Sequence, residues 1–137
     1  MVKPIVTDIF SLNRKALPAT KEDLGTARDL VDTLLANHDR CVGLAANMIG
    51  VNKRIIVISL GGFPLVMLNP VIVGRSKETY EAEEGCLSLT GVRSTLRYES
   101  IEVSYQDMDL KPCRQTYTGF AAQIIQHEVD HCEGILI

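Results

Sequence analysis

The chain has 137 residues, the length of one ordinary domain, and we expect residues 1–137 to form a single catalytic domain. Apolar residues make up 46% and charged residues 23%, which excludes an intrinsically disordered chain. Lys and Arg number 14 against 17 Asp and Glu, and the net charge of −3 argues against a nucleic-acid-binding domain, which usually needs a basic face.

The N-terminal segment does not resemble a targeting signal. Polar and charged residues interrupt its first twenty positions, and no run approaches the roughly eighteen apolar residues of a membrane span. We therefore expect a cytoplasmic protein with no membrane partner. Because cytoplasmic thiols stay reduced, its four cysteines are interpreted as core, metal-binding or catalytic residues rather than as disulfides.

An amphipathic helix is predicted near the N-terminus. Thr20 is a typical N-cap, acidic residues follow it in the first turn, and leucines recur at helical spacing to about His38. Arg54–Leu60 is a short β-branched apolar run and is predicted to be a buried strand.

Further short strands are predicted in the middle of the chain. Asn69–Pro70 interrupts one apolar stretch and indicates a bend or bulge. A turn-like segment over Asp107–Pro112 separates the last two strands, which are expected to form a hairpin. The predicted strands are Leu65–Leu68, Val71–Val73, Ile101–Tyr105 and Cys113–Tyr117.

A second helix is predicted from about Gly119 to Cys132, capped by Thr118 and stopped by Gly134. Helix, several short strands and helix in this order indicate an α+β fold. We expect short antiparallel or mixed strands packed around this C-terminal helix, with one N-terminal amphipathic helix.

The second helix contains His127-Glu128-Val129-Asp130-His131, an H-E-x-x-H sequence. Positions i and i+4 project from one helix face, so both imidazoles can bind one metal while Glu128 reaches a water molecule as general base. Two unrelated histidines on a solvated face are the alternative. The residues one and two turns earlier on this helix are candidates to line the pocket: Phe120, Gln123 and Ile124.

A catalytic metal of this kind needs a third protein ligand and an open position. Glu133 is the only acid after the motif, and it lies about 200° around the helix from His131, so it faces away. Cys86 is the best upstream candidate, because Gly85 permits unusual backbone geometry beside it and a thiolate binds a borderline metal well. The remaining cysteines, Cys41, Cys113 and Cys132, are interpreted as small buried apolar residues.

Small residues are concentrated in a third segment, Cys41–Gly50. Gly43, Ala45 and Ala46 would let another backbone or a substrate approach closely, although tight packing between a loop and a strand is the alternative explanation.

Together these three segments resemble the peptide deformylase family. That family has the ordered motifs G-φ-G-φ-A-A-x-Q, E-G-C-φ-S and Q-H-E-φ-D-H. The corresponding sequences here are CVGLAANM at 41–48, EGCLS at 84–88 and QHEVDH at 126–131. The second and third motifs match fully.

The resemblance implies a hydrolase that removes the formyl group from the N-terminal formyl-methionine of nascent chains and releases formate. Cys86, His127 and His131 would bind one divalent metal with water as the fourth ligand. Fe²⁺ is expected in the cell, and Zn²⁺, Ni²⁺ and Co²⁺ are possible replacements. Glu128 would transfer the proton, and the backbone N–H of Leu87 would stabilise the oxyanion.

Other roles follow from the same resemblance. Gly43, Phe120 and Ile124 are expected to contact the substrate. Gln126 and Asp130 flank the ligands and are expected to orient them through hydrogen bonds.

The sequence also departs from the family. Met48 stands where the family has the Gln that donates a hydrogen bond to the oxyanion, and losing one such donor typically costs about 10²–10³ in turnover. Neighbouring Asn47 has an amide, but adjacent side chains usually point different ways. The sequence ends at Ile137, without the C-terminal helix of many members, so only transient contact with the ribosome is expected.

Three functions are therefore weighed. The first is an active deformylase, slow or with altered substrate choice, since all three ligands and the base are present. The second is a weak or inactive metal-binding paralogue, and the third is a related metallo-amidohydrolase that acts on another acyl group.

Overall fold

The computed structural model describes residues 1–137, which form two antiparallel sheets and three α-helices. The larger sheet has the strand order β1-β2-β3-β6-β7, and β4 and β5 form a separate hairpin. The helices are α1 (Ile9–Leu12), α2 (Leu24–Ala36) and α3 (Gly119–Cys132). The strands are β1 (Gly43–Ala45), β2 (Ile55–Leu60), β3 (Phe63–Arg75), β4 (Thr79–Cys86), β5 (Leu89–Tyr98), β6 (Ser100–Gln106) and β7 (Pro112–Thr118).

The predicted α+β fold is confirmed, with α3 packed against strands of both sheets. Four consecutive residues of β2, Ile55–Ile58, are fully buried, and both α2 and α3 pack against this strand. Apolar residues of α2 and α3 complete this core, including Leu30, Leu34 and Ile125. The core therefore fixes the position of α3 relative to the larger sheet.

The first predicted helix begins with a capping box. Thr20 Oγ1 accepts a hydrogen bond from the backbone of Glu22, and Asp23 Oδ2 accepts one from the Thr20 N–H at 2.8 Å. A 3₁₀ turn over Lys21–Asp23 precedes α2. The helix ends at Ala36, two residues before the predicted end.

The bend at Asn69–Pro70 is a bulge inside one continuous strand rather than a break between two strands. The pairing of β3 with β6 shifts between Leu68 and Val71, and Asn69 has a positive φ of 53°. The Asn69 side chain hydrogen-bonds both backbone groups of Ala19 and the Gln106 amide. These bonds stabilise a conformation that L-residues rarely adopt.

The third motif lies on α3, which has the predicted bounds. Thr118 occupies the N-cap position, but its side chain makes no capping hydrogen bond, so the predicted cap is wrong in this detail. Gly134 follows the helix with a φ of 77°, and a Cβ there would lie within 3.0 Å of the Arg14 backbone. Gly134 therefore ends α3 and also leaves room for the backbone of the N-terminal segment at Arg14.

No helix in the structure is both long enough and apolar enough to cross a membrane.

Candidate metal centre and active-site cleft

Three parts of the fold meet at a cleft of about 530 Å³. The helix α3 contributes His127 and Glu128 to its lining, and the end of β4 contributes Cys86. Gly43 of β1 and Met48 of a 3₁₀ turn over Ala46–Ile49 line the same cleft. A cleft of this size suits a peptide terminus or another small ligand.

Cys86, His127 and His131 lie close enough together to hold a metal. One ligating atom of each lies within 4.8 Å of the other two, and the two imidazole centroids are 4.6 Å apart. Both histidines are buried, and Cys86 is partly exposed. A thiolate and two imidazoles suit zinc or iron, so the donor set fits a divalent ion.

The Cys86 thiol is prepared for metal binding. Burial raises its pKa, but hydrogen bonds with His127 and His131 outweigh burial and lower it to about 6. Burial likewise lowers the pKa of His127, whereas its contacts with Cys86 and Glu84 raise it to about 10. Without metal the thiolate is therefore paired with an imidazolium, and Cys86 is in the anionic form that binds metals.

A chain of charged groups fixes the His127 ring. His127 donates Nδ1–H to Glu84 Oε1 at 2.8 Å, which leaves its other nitrogen for a metal. Arg97 forms a bidentate pair with Glu84 at 2.6 and 2.9 Å, and donates to Asp130 Oδ2 at 2.7 Å. Asp130, predicted to orient a ligand, is thus connected to His127 through Arg97 and Glu84.

His131 is held differently. Its Nε2 lies 3.0 Å from the backbone oxygen of Ile137, and its Nδ1 lies 3.2 Å from Met48 Sδ and 3.5 Å from Glu128 Oε1. The Asn47 amide donates to the backbone oxygen of His131 at 3.0 Å. Because this amide is already used and does not line the cleft, Asn47 does not supply the donor that Met48 lacks.

Glu128 is placed to move a proton. It is 4% exposed, and its Oε1 accepts no hydrogen bond from the protein. A buried carboxylate oxygen without a donor is costly, so it favours a polar ligand or water in the cleft. This open position next to His131 is what a general base needs.

Gly43 permits the close approach of β1 to α3. A Cβ at this position would lie 2.8 Å from Ile124 Cγ2 and 2.9 Å from Glu128 Oε2. The small residue predicted from the sequence therefore makes room for the side chains of α3.

We predict that Gly43→Ala lowers kcat/KM by up to about 100-fold, because a displaced carboxylate no longer meets the substrate in the productive geometry. Gly25→Ala in α2 is the matched control, since a Cβ there meets nothing within 4 Å. Steady-state formate release by both variants tests the prediction. Equal rates for the two variants would show that Glu128 tolerates the added methyl group.

The remaining predicted residues occupy defined places. Leu87 lies in the turn between β4 and β5 and lines the cleft, and its N–H donates no hydrogen bond within the protein. Phe120 and Ile124 line the same cleft, with Phe120 62% exposed and Ile124 buried. Gln126 bonds the backbone of Tyr98 at 2.9 Å in both directions and touches neither imidazole through a hydrogen bond.

Cys41 lines the cleft but is not prepared for nucleophilic chemistry. Burial raises the pKa of its thiol to about 12, and its Sγ–H donates to the backbone oxygen of Gly43 at 3.0 Å. Cys132 is a core residue, 1% exposed, as its interpretation from the sequence required.

Two functional residues escaped the sequence analysis. Glu84 begins the second motif, immediately before Gly85 and Cys86, and this position could have indicated a role at the site. No sequence signal indicated a role for Arg97, because an isolated Arg in a polar stretch is usually exposed. Its burial depends on the pairing of β5 with β4, which the sequence analysis did not predict.

Comparison with known proteins identifies the family to which this chain is similar. The polypeptide deformylase family model matches residues 3–137. The peptide deformylase of Clostridium beijerinckii is 56% identical over 137 residues, which is 100% of both chains. That of Thermotoga maritima is 36% identical over 130 residues, covering 92% of this chain and 78% of the relative.

Solved structures of peptide deformylases have a fold similar to that of this chain. The class I type b peptide deformylase of Acinetobacter baumannii, bound to K1U, has a TM-score of 0.90 and 32% identity over 99% of this chain and 97% of that chain. A second structure of that protein, bound to Met-Ala-Ser, has a TM-score of 0.90, 30% identity and the same coverage.

Proposed function

The chain belongs to the polypeptide deformylase family, and on this basis we propose that it performs deformylation with one divalent metal held by Cys86, His127 and His131. The enzyme is a metal-dependent hydrolase that removes the formyl group from the N-terminal formyl-methionine of nascent polypeptides. The observation that carries the proposed site is the clustering of three ligating atoms within 4.8 Å beside a buried Glu128.

A divalent metal bound here supplies Lewis acidity and lowers the pKa of water. Glu128 accepts the proton of the attacking water at its unpartnered Oε1 and delivers it to the nitrogen of the leaving amine as the formyl C–N bond breaks. Formate and a free N-terminal amine are the products. The open position of Oε1 next to His131 supports this role.

The N–H of Leu87 donates to the formyl oxygen as negative charge develops on it. This N–H is free for the purpose because it has no partner within the protein. The Met48 side chain has no N–H or O–H to donate, so the site has one oxyanion donor fewer than the family's motif provides. The expected consequence is a slower enzyme.

The cleft walls supply the contacts for the substrate. Ile124 and Phe120 offer apolar surface to the methionine side chain, and Gly43 leaves room beside them. The A. baumannii relative bound to Met-Ala-Ser supports a peptide that begins with methionine as the ligand of this cleft.

We propose Fe²⁺ as the ion used in the cell, with Zn²⁺, Ni²⁺ and Co²⁺ as replacements that the borderline donor set accepts. The whole chain, 1–137, acts as one catalytic domain in this proposal. Because the substrate is a nascent chain, the proposed place of action is the cytoplasm and the proposed contact with the ribosome is transient.

The decisive experiment is an assay on protein purified anaerobically with Fe²⁺. We expect formate release from formyl-Met-Ala-Ser and no release of acetate from acetyl-Met-Ala-Ser. Formate release no faster than from metal-free protein would support the inactive paralogue instead. Cleavage of the acetyl peptide alone would support a metallo-amidohydrolase that acts on another acyl group.

A further inference from the structure

A second, small cavity lies beside the turn that joins β4 to β5. Its volume is about 10 Å³, and its lining includes one residue from each of the three motifs, Asn47, Ser88 and His131. Each of these three residues is 4% exposed. The cavity is distinct from the active-site cleft, whose lining includes none of the three.

Two of these lining residues have a buried oxygen without a hydrogen-bond partner, Asn47 Oδ1 and Ser88 Oγ. The orientation of the Asn47 amide is fixed, because its Nδ2 donates at 3.0 Å to the backbone oxygen of His131, which can only accept. Asn47 Oδ1 therefore needs a donor, whereas the Ser88 hydroxyl can donate or accept. Buried polar atoms are destabilising when they are left unpaired, so both oxygens require a partner.

One water molecule meets both requirements. A cavity of about 10–15 Å³ is large enough for one water, and a buried water needs two to four polar partners. A water between the two side chains would donate one hydrogen to Asn47 Oδ1 and accept the hydrogen of the Ser88 hydroxyl. The small volume excludes a larger ligand.

The backbone of Ser88 connects this cavity to the active site. Its N–H donates to Cys86 Sγ at 3.4 Å, and Leu87, which lies between them in the turn, lines the active-site cleft. An anchored Ser88 side chain therefore restricts the direction of the adjacent Leu87 N–H, the proposed oxyanion donor. Asn47 is bonded in turn to α3, which carries Glu128, so the same anchor fixes the donor relative to the base.

We propose that this cavity binds one structural water molecule that joins Asn47 to Ser88, and that Ser88 is a positioning residue for the Leu87 N–H. The positioning role rests on the proposed deformylation, whereas the water site does not. The water connects all three motifs, since Asn47 also holds the backbone of His131.

A high-resolution crystal structure of the metal-loaded protein tests the water site directly. We expect an isolated density peak at about 2.5–3.0 Å from both Asn47 Oδ1 and Ser88 Oγ. A direct hydrogen bond between these two side chains, or a cavity without density, would overturn the inference without reference to any variant.

Ser88→Ala removes one of the two partners of the water, and Ser94→Ala is the matched control, because Ser94 is exposed on β5 and lines neither cavity. In Ser88→Ala we expect the density peak to be lost and kcat for formate release to fall by about 10- to 100-fold. This loss lies at or below the roughly 10²–10³-fold cost of removing an oxyanion donor outright. KM should change little, because the Leu87 N–H meets charge that develops in the transition state.

Rates are expressed per bound metal, because the Ser88 N–H also contacts Cys86 Sγ. A Ser88→Ala enzyme with the kcat of the Ser94→Ala control, or with a change in KM alone, would contradict the positioning role. Wild-type protein that holds the water but releases no formate would overturn the proposed function and the positioning role with it, while supporting the water site.

Discussion

Glu128→Gln is expected to lower formate release by about 10²–10⁴-fold while metal content stays unchanged. The amide keeps the shape of the side chain but cannot accept the proton of the attacking water. Because Glu128 is a proton carrier rather than a ligand in this account, the loss should fall on kcat more than on KM. Steady-state kinetics and metal analysis of the same preparation measure both.

Glu133→Gln is the matched control for this change. Glu133 immediately follows α3 and accepts a hydrogen bond from Arg54 Nη1 at 2.7 Å, outside the cleft lining. Its substitution should leave turnover near the wild-type value. A Glu128→Gln enzyme as fast as the Glu133→Gln control would show that another group carries the proton.

Arg97→Met is expected to reduce the free energy of unfolding by about 3–5 kcal/mol. The Arg97 side chain is 5% exposed and makes three hydrogen bonds to Glu84 and Asp130. Removing it leaves the Glu84 carboxylate buried with only His127 as partner. Burial raises the pKa of Glu84, and bonds from Arg97 and His127 lower it to about 2, so the carboxylate depends on these partners for its charge.

Urea unfolding of metal-free protein measures this loss without a contribution from metal binding. Arg114→Met is the control, because its ion pair with Glu102 spans 3.8 Å and its side chain is 62% exposed. Such exposed pairs contribute about 0–1 kcal/mol. Losses of similar size in the two variants would mean that the Arg97 network is not buried in solution.

The parts of the site that depend on local sequence were predictable. His127 and His131 share a helix face because they are four residues apart, and the bounds of the helix were predicted from the residues that flank it, Thr118 and Gly134. Cys86 was predicted by eliminating residues near the helix and by its motif. The role of Glu128 could be predicted without long-range information, because Glu128 is next to His127 in the sequence.

The hairpin of β4 and β5 could not be predicted in the same way. Its strands are rich in charged residues and partly exposed, so neither shows the apolar run that indicated β2. The burial of Arg97 follows from the pairing of β5 with β4 and from the contact of Arg97 with Asp130 on α3. The contact of Met48 Sδ with His131 also joins residues far apart in the sequence, so it could not be predicted from either segment. The sequence indicated only that Met48 lacks the amide donor of the family's Gln.

The position of α3 has a consequence for how the enzyme is made. Every strand that α3 packs against precedes it in the chain. During synthesis both sheets are complete before the helix that covers them and carries two of the proposed ligands. The catalyst that acts on emerging N-termini therefore cannot reach its own active form while those strands alone have left the ribosome. Each molecule can therefore complete its core only after α3 has been translated, because α3 follows all of the strands in the chain.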